Sequence, residues 1–227
     1  MLPHAMCGRY TLTTSEDHLA LRFEFSETRL GWQPHYNIAP TTEVPVVALR
    51  DGERHARLLR WGLVPYGAKS LTVGARMINA RSETVGERPA FRDAFQRHRC
   101  LVLADGFYEW RRNPDGTKTP YWLHLPGQEP FAFAGLWAAW KGPDEEWVRS
   151  CSILTTEPNA SMAPVHDRMP VILPPEAEAA WIDTEQADVD ALRNLLAPYP
   201  GDLVLTPVSS LVNNVRNDSP ACVEAVA

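Results

Sequence analysis

The segment Met6-Cys7-Gly8 places a thiol directly after a possible initiator methionine. If translation starts at Met6 and this methionine is removed, Cys7 becomes the first residue. Its α-amine and its thiol, with ordinary pKa values of about 7.8 and about 8.5, are then both partly reactive at neutral pH. An aldehyde condenses with the amine to a Schiff base, and the thiolate closes on the same carbon to give a thiazolidine. The pattern therefore indicates carbonyl chemistry. The alternative is that Met1 starts the chain and Cys7 is a small buried residue of a first strand.

Three further polar residues have surroundings that suit acid–base or carbonyl chemistry. Glu109 lies between the aromatic residues Tyr108 and Trp110, which predicts a partly buried carboxylate whose pKa rises toward neutrality. His166 lies in a charged loop segment and suits proton transfer near neutral pH. Asn79 carries an amide that can orient a bound carbonyl or hydroxyl. Each also has a structural interpretation: a strand glutamate on the wet face, a histidine in a surface turn and an asparagine at a strand edge.

The elements that must position these residues are mostly strands. Apolar runs separated by turn residues predict strands over residues 44–49, 56–63, 100–104, 107–110, 121–125, 131–140, 147–155 and 203–208. A capping box formed by Thr13 and Glu16 predicts a helix over residues 17–23, and further helices are predicted over residues 89–98, 176–182 and 188–196. Residues 33–41 are predicted as a proline-bracketed loop. The sequence thus predicts a single α+β domain, with a mostly antiparallel, barrel-like or sandwiched sheet and a few peripheral helices.

Composition is that of a globular protein with a packed core, since 44% of the 227 residues are hydrophobic. No apolar run approaches the roughly 20 residues of a membrane span. The first residues lack the basic and apolar regions of a signal peptide, so a cytoplasmic protein is expected. The cysteines at 7, 100, 151 and 222 are far apart and form no CxxC pair, which argues against a zinc site and a disulfide framework. Cys100 and Cys151 lie in apolar runs and are expected to be buried structural thiols.

The formal charge of −6 argues against a protein that coats nucleic acid along its whole surface. Residues 54–99, however, hold ten basic and three acidic residues, a balance of +7 that leaves −13 for the rest of the chain. Such asymmetry can focus a positive field over one groove while the remaining surface repels other polyanions. The alternative is that these basic residues are scattered over the solvated surface.

Five short segments, in this order and spacing, resemble the SOS response-associated peptidase (SRAP) family: Met6-Cys7-Gly8-Arg9-Tyr10, Tyr36-Asn37-Ile38-Ala39-Pro40-Thr41, Asn79-Ala80-Arg81-Ser82-Glu83-Thr84, Asp105-Gly106-Phe107-Tyr108-Glu109-Trp110 and His166-Asp167-Arg168-Met169-Pro170. The resemblance implies one SRAP domain over residues 6–217. It leaves residues 1–5 as an extension, which we expect to come from a wrongly assigned start, and residues 218–227 as a C-terminal tail.

The resemblance implies a sensor of abasic sites in single-stranded DNA that crosslinks to the lesion through Cys7, as a thiazolidine, after Met6 is removed. The family is named for peptidases because that removal was attributed to self-cleavage. Catalytic roles are implied for Cys7, Asn79, Glu109 and His166, the last assisting sugar ring opening and Schiff-base chemistry. DNA contacts are implied for Arg9, Asn37, Pro40, Arg81, Arg88, Thr155 and Arg168. We expect no cofactor and no metal, and a monomer that associates with the nucleoid when bound to single-stranded DNA.

One departure from the family and two other functions stay open. Family members can carry adjacent tryptophans after the Trp-Gly-x-x-Pro segment, whereas this chain has Tyr66-Gly67-Ala68, which predicts a thinner stacking platform for a DNA base. A cysteine peptidase would use Cys7 as nucleophile and His166 as base, with Asn79 or Glu109 orienting the base. A non-catalytic single-strand binder would use the basic segment alone.

Overall fold

The computed structural model describes residues 8–25, 29–186 and 188–226, so Cys7, Met6 and the extension of residues 1–5 lie outside the described residues. The strands are β1 Tyr10–Leu12, β2 His35–Ile38, β3 Glu43–Arg50, β4 Glu53–Trp61, β5 Asn79–Arg81, β6 Arg99–Ala104, β7 Gly106–Arg112, β8 Lys118–His124, β9 Phe131–Lys141, β10 Trp147–Thr156, β11 Met169–Pro170, β12 Ile172–Leu173 and β13 Val204–Pro207. The α-helices are α1 Glu16–Phe23, α2 Pro89–Arg97, α3 Pro175–Ile182 and α4 Val189–Asn194. Short 3₁₀ turns cover Leu71–Arg76, Pro126–Gln128, Ser210–Asn213 and Pro220–Cys222.

Five strands close into a mixed barrel. β9 pairs with β6 and β10, β6 pairs with β3, and β3 pairs with β4, all antiparallel. The parallel pairing of β4 with β10, at Arg60 with Ser150 and Trp61 with Cys151, closes the ring. Three short strands extend it: β5 and β11 pair with β10, and β12 pairs with β9. The prediction of a single domain with a mostly antiparallel, barrel-like sheet is confirmed.

A second sheet, in the order β13-β8-β7-β1-β2, packs against the barrel. All of its pairings are antiparallel. Tyr10 of β1 is fully buried, and its ring lies 5.2 Å from that of Trp61 and 5.8 Å from that of Phe133, edge to face in both cases. Burying an aromatic side chain of this size contributes on the order of 2 kcal/mol. The start of the described chain is therefore fixed firmly to the barrel wall.

The core is one apolar cluster that spans the barrel interior and the contact between the two sheets. Cys100 and Cys151 lie in it without exposure, as the sequence predicts. Burial in this apolar surrounding raises the pKa of both thiols, because the thiolate would lose its hydration. Neither thiol is therefore available as a nucleophile.

Asp105 anchors the turn that follows β1. This carboxylate is 2% exposed, and it accepts hydrogen bonds from the hydroxyls of Thr11, Thr13 and Thr14 and from the backbone N–H groups of Thr13 and Thr14. The Thr11 bond is 2.7 Å long. A buried carboxylate is tolerated where several donors replace its water. Asp105 therefore fixes the path of the chain on both sides of Leu12.

Two predictions near the start of the chain are wrong. The capping box of Thr13 and Glu16 does not form, because Thr13 donates to Asp105 and helix α1 is instead capped by Ser15, whose hydroxyl accepts from the His18 N–H. Glu16 accepts from backbone N–H groups of the loop at residues 30 and 32. The predicted loop of residues 33–41 contains strand β2, which forms because its backbone pairs with β1.

Residues 218–226, predicted as a C-terminal tail, pack against the second sheet. Asp218 accepts hydrogen bonds from the backbone N–H groups of Tyr36 and Asn37. Cys222 is 1% exposed, and the N–H of Val226 donates to the carbonyl of Pro207 at 3.0 Å. This segment therefore covers the β2 side of the sheet that carries β1 and β7.

Candidate functional site

A cavity of about 400 Å³ brings two of the predicted catalytic residues together. One wall comes from the β7–β8 hairpin and the other from the loop that follows β10. The lining residues are Glu109, Trp110, Arg112, Lys118, Val165, His166 and Asp167. A carboxylate and an imidazole that are far apart in sequence thus share one polar cavity of a size that admits a sugar ring.

Glu109 occupies the centre of β7 and is 4% exposed. β1 runs antiparallel beside it, with Tyr10 opposite Phe107, and the Tyr108 N–H donates to the Arg9 carbonyl at 3.0 Å. This register, continued toward the start of the chain, places Gly8 next to Glu109. The pairing of β1 with β7 thus directs the N-terminal end of the described chain to the carboxylate.

His166 is half-buried, with 22% of its side chain exposed. Its Nδ1 accepts a hydrogen bond from the backbone N–H of Arg168 at 3.1 Å, so the neutral ring carries its proton on Nε2. Asp167 Oδ1 lies 3.0 Å from the same Nδ1 and faces the charged form of the ring. Because Asp167 is 90% exposed, solvent weakens that attraction. The two contacts set the orientation of the imidazole in both protonation states.

Asn79 and Arg81 lie on β5, which is held in place by β10. Asn79 pairs with Ile153 and Arg81 with Thr155, in parallel register, while Thr155 also pairs with Pro170 of β11. Asn79 is half-buried and Arg81 is exposed. The end of β10 therefore gathers the Asn79–Thr84 segment and the His166–Pro170 segment on its two sides.

Arg168 joins these two segments through hydrogen bonds. It forms a two-pronged ion pair with Glu83, with Nη2 2.9 Å from Oε2, and Nη2 also donates to the Thr155 carbonyl at 2.7 Å. The hydrogen bond from Arg168 is the main cause that lowers the pKa of Glu83. Thr155 is fully buried. Thr155 therefore positions Arg168 in this structure, and the DNA contact implied for it stays a prediction.

Arg9 and Asn37 form a second polar cluster. Arg9 Nη1 donates to Asn37 Oδ1 at 2.8 Å and to the Val212 carbonyl at 2.7 Å. The Asn37 amide donates to the carbonyls of Val212, Asn214 and Asn217, the last at 2.7 Å. Asn37 is 4% exposed, and its side chain holds the loop of residues 212–217; the DNA contact implied for Asn37 stays a prediction. That loop adjoins the cavity, because Asn213 Oδ1 accepts a hydrogen bond from the indole of Trp110.

The remaining predicted DNA contacts lie at the surface. Arg88 is exposed at the start of α2, and Pro40 is half-buried in the turn between β2 and β3. Sequence reasoning missed Arg112 and Lys118, which lie outside the basic segment of residues 54–99. They are cross-strand partners in the β7–β8 hairpin, and the Asp115-Gly116 turn is the signal that would have paired them. Two positive side chains opposite each other repel. An anionic ligand bound between Arg112 and Lys118 would reduce that repulsion.

Within the part of the chain that the structure describes, no group of three or more acidic, histidine or cysteine side chains is arranged to hold a metal ion. No helix over the same residues is long and apolar enough to cross a membrane.

Comparison with known proteins gives one consistent result. The family model of the SOS response associated peptidase (SRAP) matches residues 6–215. The abasic site processing protein YoqW of Bacillus subtilis is 40% identical over 223 residues, which cover 97% of this chain and 100% of YoqW. The abasic site processing protein HMCES of Xenopus tropicalis is 30% identical and aligns over 97% of this chain and 78% of its own length.

Solved structures agree on the fold. A Bacteroides thetaiotaomicron protein superposes with a TM-score of 0.88 at 23% identity, covering 97% of this chain and 100% of its own. A phage-related protein of Bordetella bronchiseptica superposes with a TM-score of 0.68 at 32% identity, covering 89% and 94%.

Proposed function

Because the chain belongs to the SOS response associated peptidase (SRAP) family, we propose that it processes abasic sites in single-stranded DNA and binds them covalently through Cys7. Relatives that align over almost all of this chain carry the name abasic site processing protein. The finer proposal, a thiazolidine crosslink, needs a free α-amine at Cys7. We therefore include removal of residues 1–6, or a start at Met6, as part of it.

One observation carries this proposal: Glu109 and His166 line a single cavity at the point where the chain reaches Gly8. Cys7 precedes Gly8 in the sequence. We propose that its α-amine and thiol, in a chain that begins at Cys7, act together with this carboxylate and this imidazole. These are the groups that Schiff-base formation and ring closure require.

The covalent steps need no reagent other than the protein, the ring-opened sugar and water. Glu109 takes a proton from the Cys7 ammonium, and the free amine attacks the aldehyde carbon of the ring-opened sugar to form a carbinolamine. Glu109 returns a proton to the carbinolamine hydroxyl, which leaves as water and gives the Schiff base. Loss of water leaves the nitrogen as a protonated Schiff base. The Cys7 thiol gives its proton to solvent, the thiolate electron pair forms the C–S bond to the same carbon, and the C=N π pair moves to the nitrogen, which keeps its proton as the amine of the thiazolidine.

His166 has a separate role before these steps. The abasic sugar exists mainly as a closed ring, and opening it moves a proton from the anomeric hydroxyl to the ring oxygen. An imidazole with its Nε2 proton directed away from Arg168 can give and take protons in that exchange. Asn79, at the β10 end of the site, orients the aldehyde oxygen through its amide.

Positive side chains around the cavity bind the phosphates on either side of the lesion. Arg112 and Lys118 line the cavity itself. Arg81, the last residue of β5, and Arg88, directly before α2, are exposed, and we propose that they contact further phosphates. Arg9 and Arg168 act by positioning, since their guanidinium groups bond to the protein. We also propose that the protein acts as a monomer in the cytoplasm and needs no cofactor.

The test is incubation of protein that begins at Cys7 with a single-stranded oligonucleotide carrying one abasic site, followed by a denaturing gel. A band of lower mobility that survives denaturation is expected. The control oligonucleotide has an intact base at the same position. Cleavage of protein without a DNA adduct would favour the cysteine peptidase, and DNA binding that disappears on denaturation would favour the non-catalytic binder.

A further inference from the structure

A second cavity, of about 620 Å³, shares no lining residue with the one around Glu109. It opens on the exposed side of β4 and β10, and four arginines line it: Arg29, Arg57, Arg60 and Arg149. Glu43 is the single acidic residue among the described residues that line it. The cavity therefore carries a local excess of three positive charges on a protein whose net charge is −6.

Among the described residues, these four arginines have no acidic partner of the kind that Arg22 and Arg168 have. Arg22 pairs with Glu178 at 2.7 Å, and Arg168 pairs with Glu83. In the described part of the chain, no carboxylate forms an ion pair with any of the four that line this cavity. Clustered cations without counter-charges repel one another. Such an arrangement lowers stability slightly and favours a polyanionic ligand.

Exposed aromatic rings adjoin the arginines. Trp147, at the start of β10, lines this cavity and is 56% exposed. A neighbouring cavity of about 450 Å³ also contains Trp147, together with Trp137 and Tyr66, and Tyr66 is 80% exposed. Another cavity, of about 350 Å³, shares Arg57 and Arg149 with the arginine-lined cavity and Trp137 with the cavity that contains Tyr66. The three cavities thus share lining residues, and we define the surface that they have in common by Arg57, Arg149, Trp147 and Tyr66 and call it the arginine–aromatic surface.

β10 connects this surface to the candidate site. Arg149 and Thr155 lie on the same strand, and at about 3.3 Å per residue their separation is on the order of 20 Å. Thr155 accepts hydrogen bonds from Arg168, next to His166. Because residues 150–156 of β10 are buried, a ligand that joins these two places passes over the outer surface and not along the strand itself.

We propose that the arginine–aromatic surface binds the undamaged single strand that flanks the abasic site, without sequence preference; this proposal rests on the proposed function. Phosphates contact the guanidinium groups, and bases stack on the rings, which is how proteins bind single strands irrespective of sequence. An acidic peptide would neutralise the charges of the arginines, but it has no planar bases to stack on the aromatic rings. Trp147 also replaces the stacking area that Tyr66-Gly67-Ala68 is expected to lack.

The test is equilibrium binding of undamaged fluorescent oligonucleotides whose length is increased one nucleotide at a time. The variants are Arg57→Gln combined with Arg149→Gln, and Trp147→Ala. Arg193→Gln is the matched control, because Arg193 is an exposed arginine on α4 that pairs with Asp190 and lines neither cavity. All of these side chains lie at the surface, so the variants are expected to fold.

The wild type and Arg193→Gln should gain affinity as the strand lengthens onto the surface, whereas the double variant should lose that gain. Its salt slope should fall by about 1.4, at about 0.7 for each of two phosphate contacts. Trp147→Ala should weaken binding of the longer strands by about five- to a hundredfold, the range for one lost stacking contact. Equal affinities and equal salt slopes for the wild type and the double variant would overturn the proposal, as would tighter binding of a poly-glutamate peptide than of DNA.

A second measurement separates this proposal from the proposed function. With a short abasic oligonucleotide and saturating protein, the double variant should form adduct at the wild-type rate. If the wild type forms no adduct, yet loses length-dependent affinity on substitution of Arg57 and Arg149, the crosslinking function is wrong and the arginine–aromatic surface still binds single strands. If adduct forms and the length dependence survives the substitutions, only the surface proposal is wrong.

Discussion

At the residue scale, the surroundings of Glu109 and His166 differ in a way that suits the different tasks proposed for them. Glu109 is almost fully enclosed by β7 and its neighbours, with 4% of its surface exposed. His166 is partly open to water and is held by the backbone of Arg168. The enclosed carboxylate suits proton transfer with an amine that lies beside it, and the more open imidazole suits exchange with a substrate hydroxyl.

Glu109→Gln should slow adduct formation by about 10²- to 10⁴-fold, because the amide keeps the size of the carboxylate but accepts no proton at neutral pH. The measurement is the single-turnover rate with protein in saturating excess. Affinity for undamaged single strands should stay within a few-fold of the wild type. Arg81→Ala is the counterpart: it should weaken binding more than it slows the chemical step. A wild-type rate for Glu109→Gln would make this carboxylate structural.

Cys7→Ala should abolish the stable adduct, whereas Cys7→Ser should leave at most an adduct that hydrolyses. Serine keeps the α-amine, so a Schiff base still forms, but its hydroxyl closes the ring far less readily than a thiolate. The measurement is adduct survival after heating, with borohydride reduction to trap the Schiff base. Equal survival of the adducts formed by Cys7→Ser and by the wild type would remove the thiol from the mechanism.

At the element scale, β1 and β10 place the site. β1 is fixed by Asp105 and by the ring of Tyr10, and it directs the chain toward Glu109. β10 is the strand to which β5 and β11 add, so it sets the relative positions of Asn79 and Arg168. The site is thus assembled from short segments whose positions depend on longer strands.

Asp105→Asn should slow adduct formation while leaving affinity for undamaged single strands within a few-fold of the wild type. The amide can accept only part of the hydrogen bonds from Thr11, Thr13 and Thr14, and one of its own N–H groups would face a donor. The start of β1 would then be less firmly held. The rate at saturating protein is the measurement, and a thermal melt shows that the variant remains folded. An unchanged rate would mean that β1 is positioned without Asp105.

Gly62→Ala should lower the free energy of unfolding by more than Gly52→Ala does. Gly62 follows β4 with φ of +129°, and an added Cβ would lie 2.6 Å from the Gly74 carbonyl oxygen. Gly52 also has a positive φ, of +81°, but nothing lies within 4 Å of its Cβ position. Backbone strain of this kind costs on the order of 1–3 kcal/mol. Urea denaturation of the two variants gives the comparison, and equal losses would show that Gly74 can move aside.

The sequence predicts the long elements well and the short ones poorly. β9 and β10 carry apolar runs of their own, so they were identifiable from residues 131–140 and 147–155. β5, β11 and β12 have two or three residues each and become strands only because a neighbour offers hydrogen bonds. Asn37 shows the same limit at the site, since its buried bonds go to carbonyls from distant residues 212–217. Such partners are set by the fold, which local sequence does not specify.

At the scale of the whole molecule, fewer basic residues of segment 54–99 contribute to a positive surface than the sequence count suggests. Within the basic segment of residues 54–99, Arg99 is 1% exposed and donates to the Trp181 carbonyl, and Arg54 donates to the Phe23 carbonyl. These two arginines hold the protein together and add little to a DNA surface. Arg57 and Arg60, by contrast, line the second cavity. The positive surface is therefore smaller than the balance of +7 implies, and it is more concentrated.

Affinity for single-stranded DNA should fall with rising salt even though the protein is acidic overall. Each phosphate that an arginine neutralises releases counterions, which gives a slope of about −0.7 in a plot of log affinity against log salt concentration. Titrations at several salt concentrations supply this slope, with protein variants Arg81→Ala and Arg193→Gln as test and control. If the affinity for DNA did not change with salt concentration, Arg81 and the other surface arginines would not contact the DNA phosphates.

The large sequence separation between paired strands also affects the order in which the parts of the candidate site form. The closing pair joins Arg60 and Trp61 to Ser150 and Cys151, and β1 finds its partner only at Gly106 and Phe107. Contacts so distant in sequence form late and slowly during folding. On the ribosome, residue 7 therefore emerges long before the strand that carries Glu109 has been synthesised. Under the proposed mechanism, a nascent chain has the nucleophile before its acid–base partner, so we expect unfinished copies to form the adduct more slowly than the folded protein.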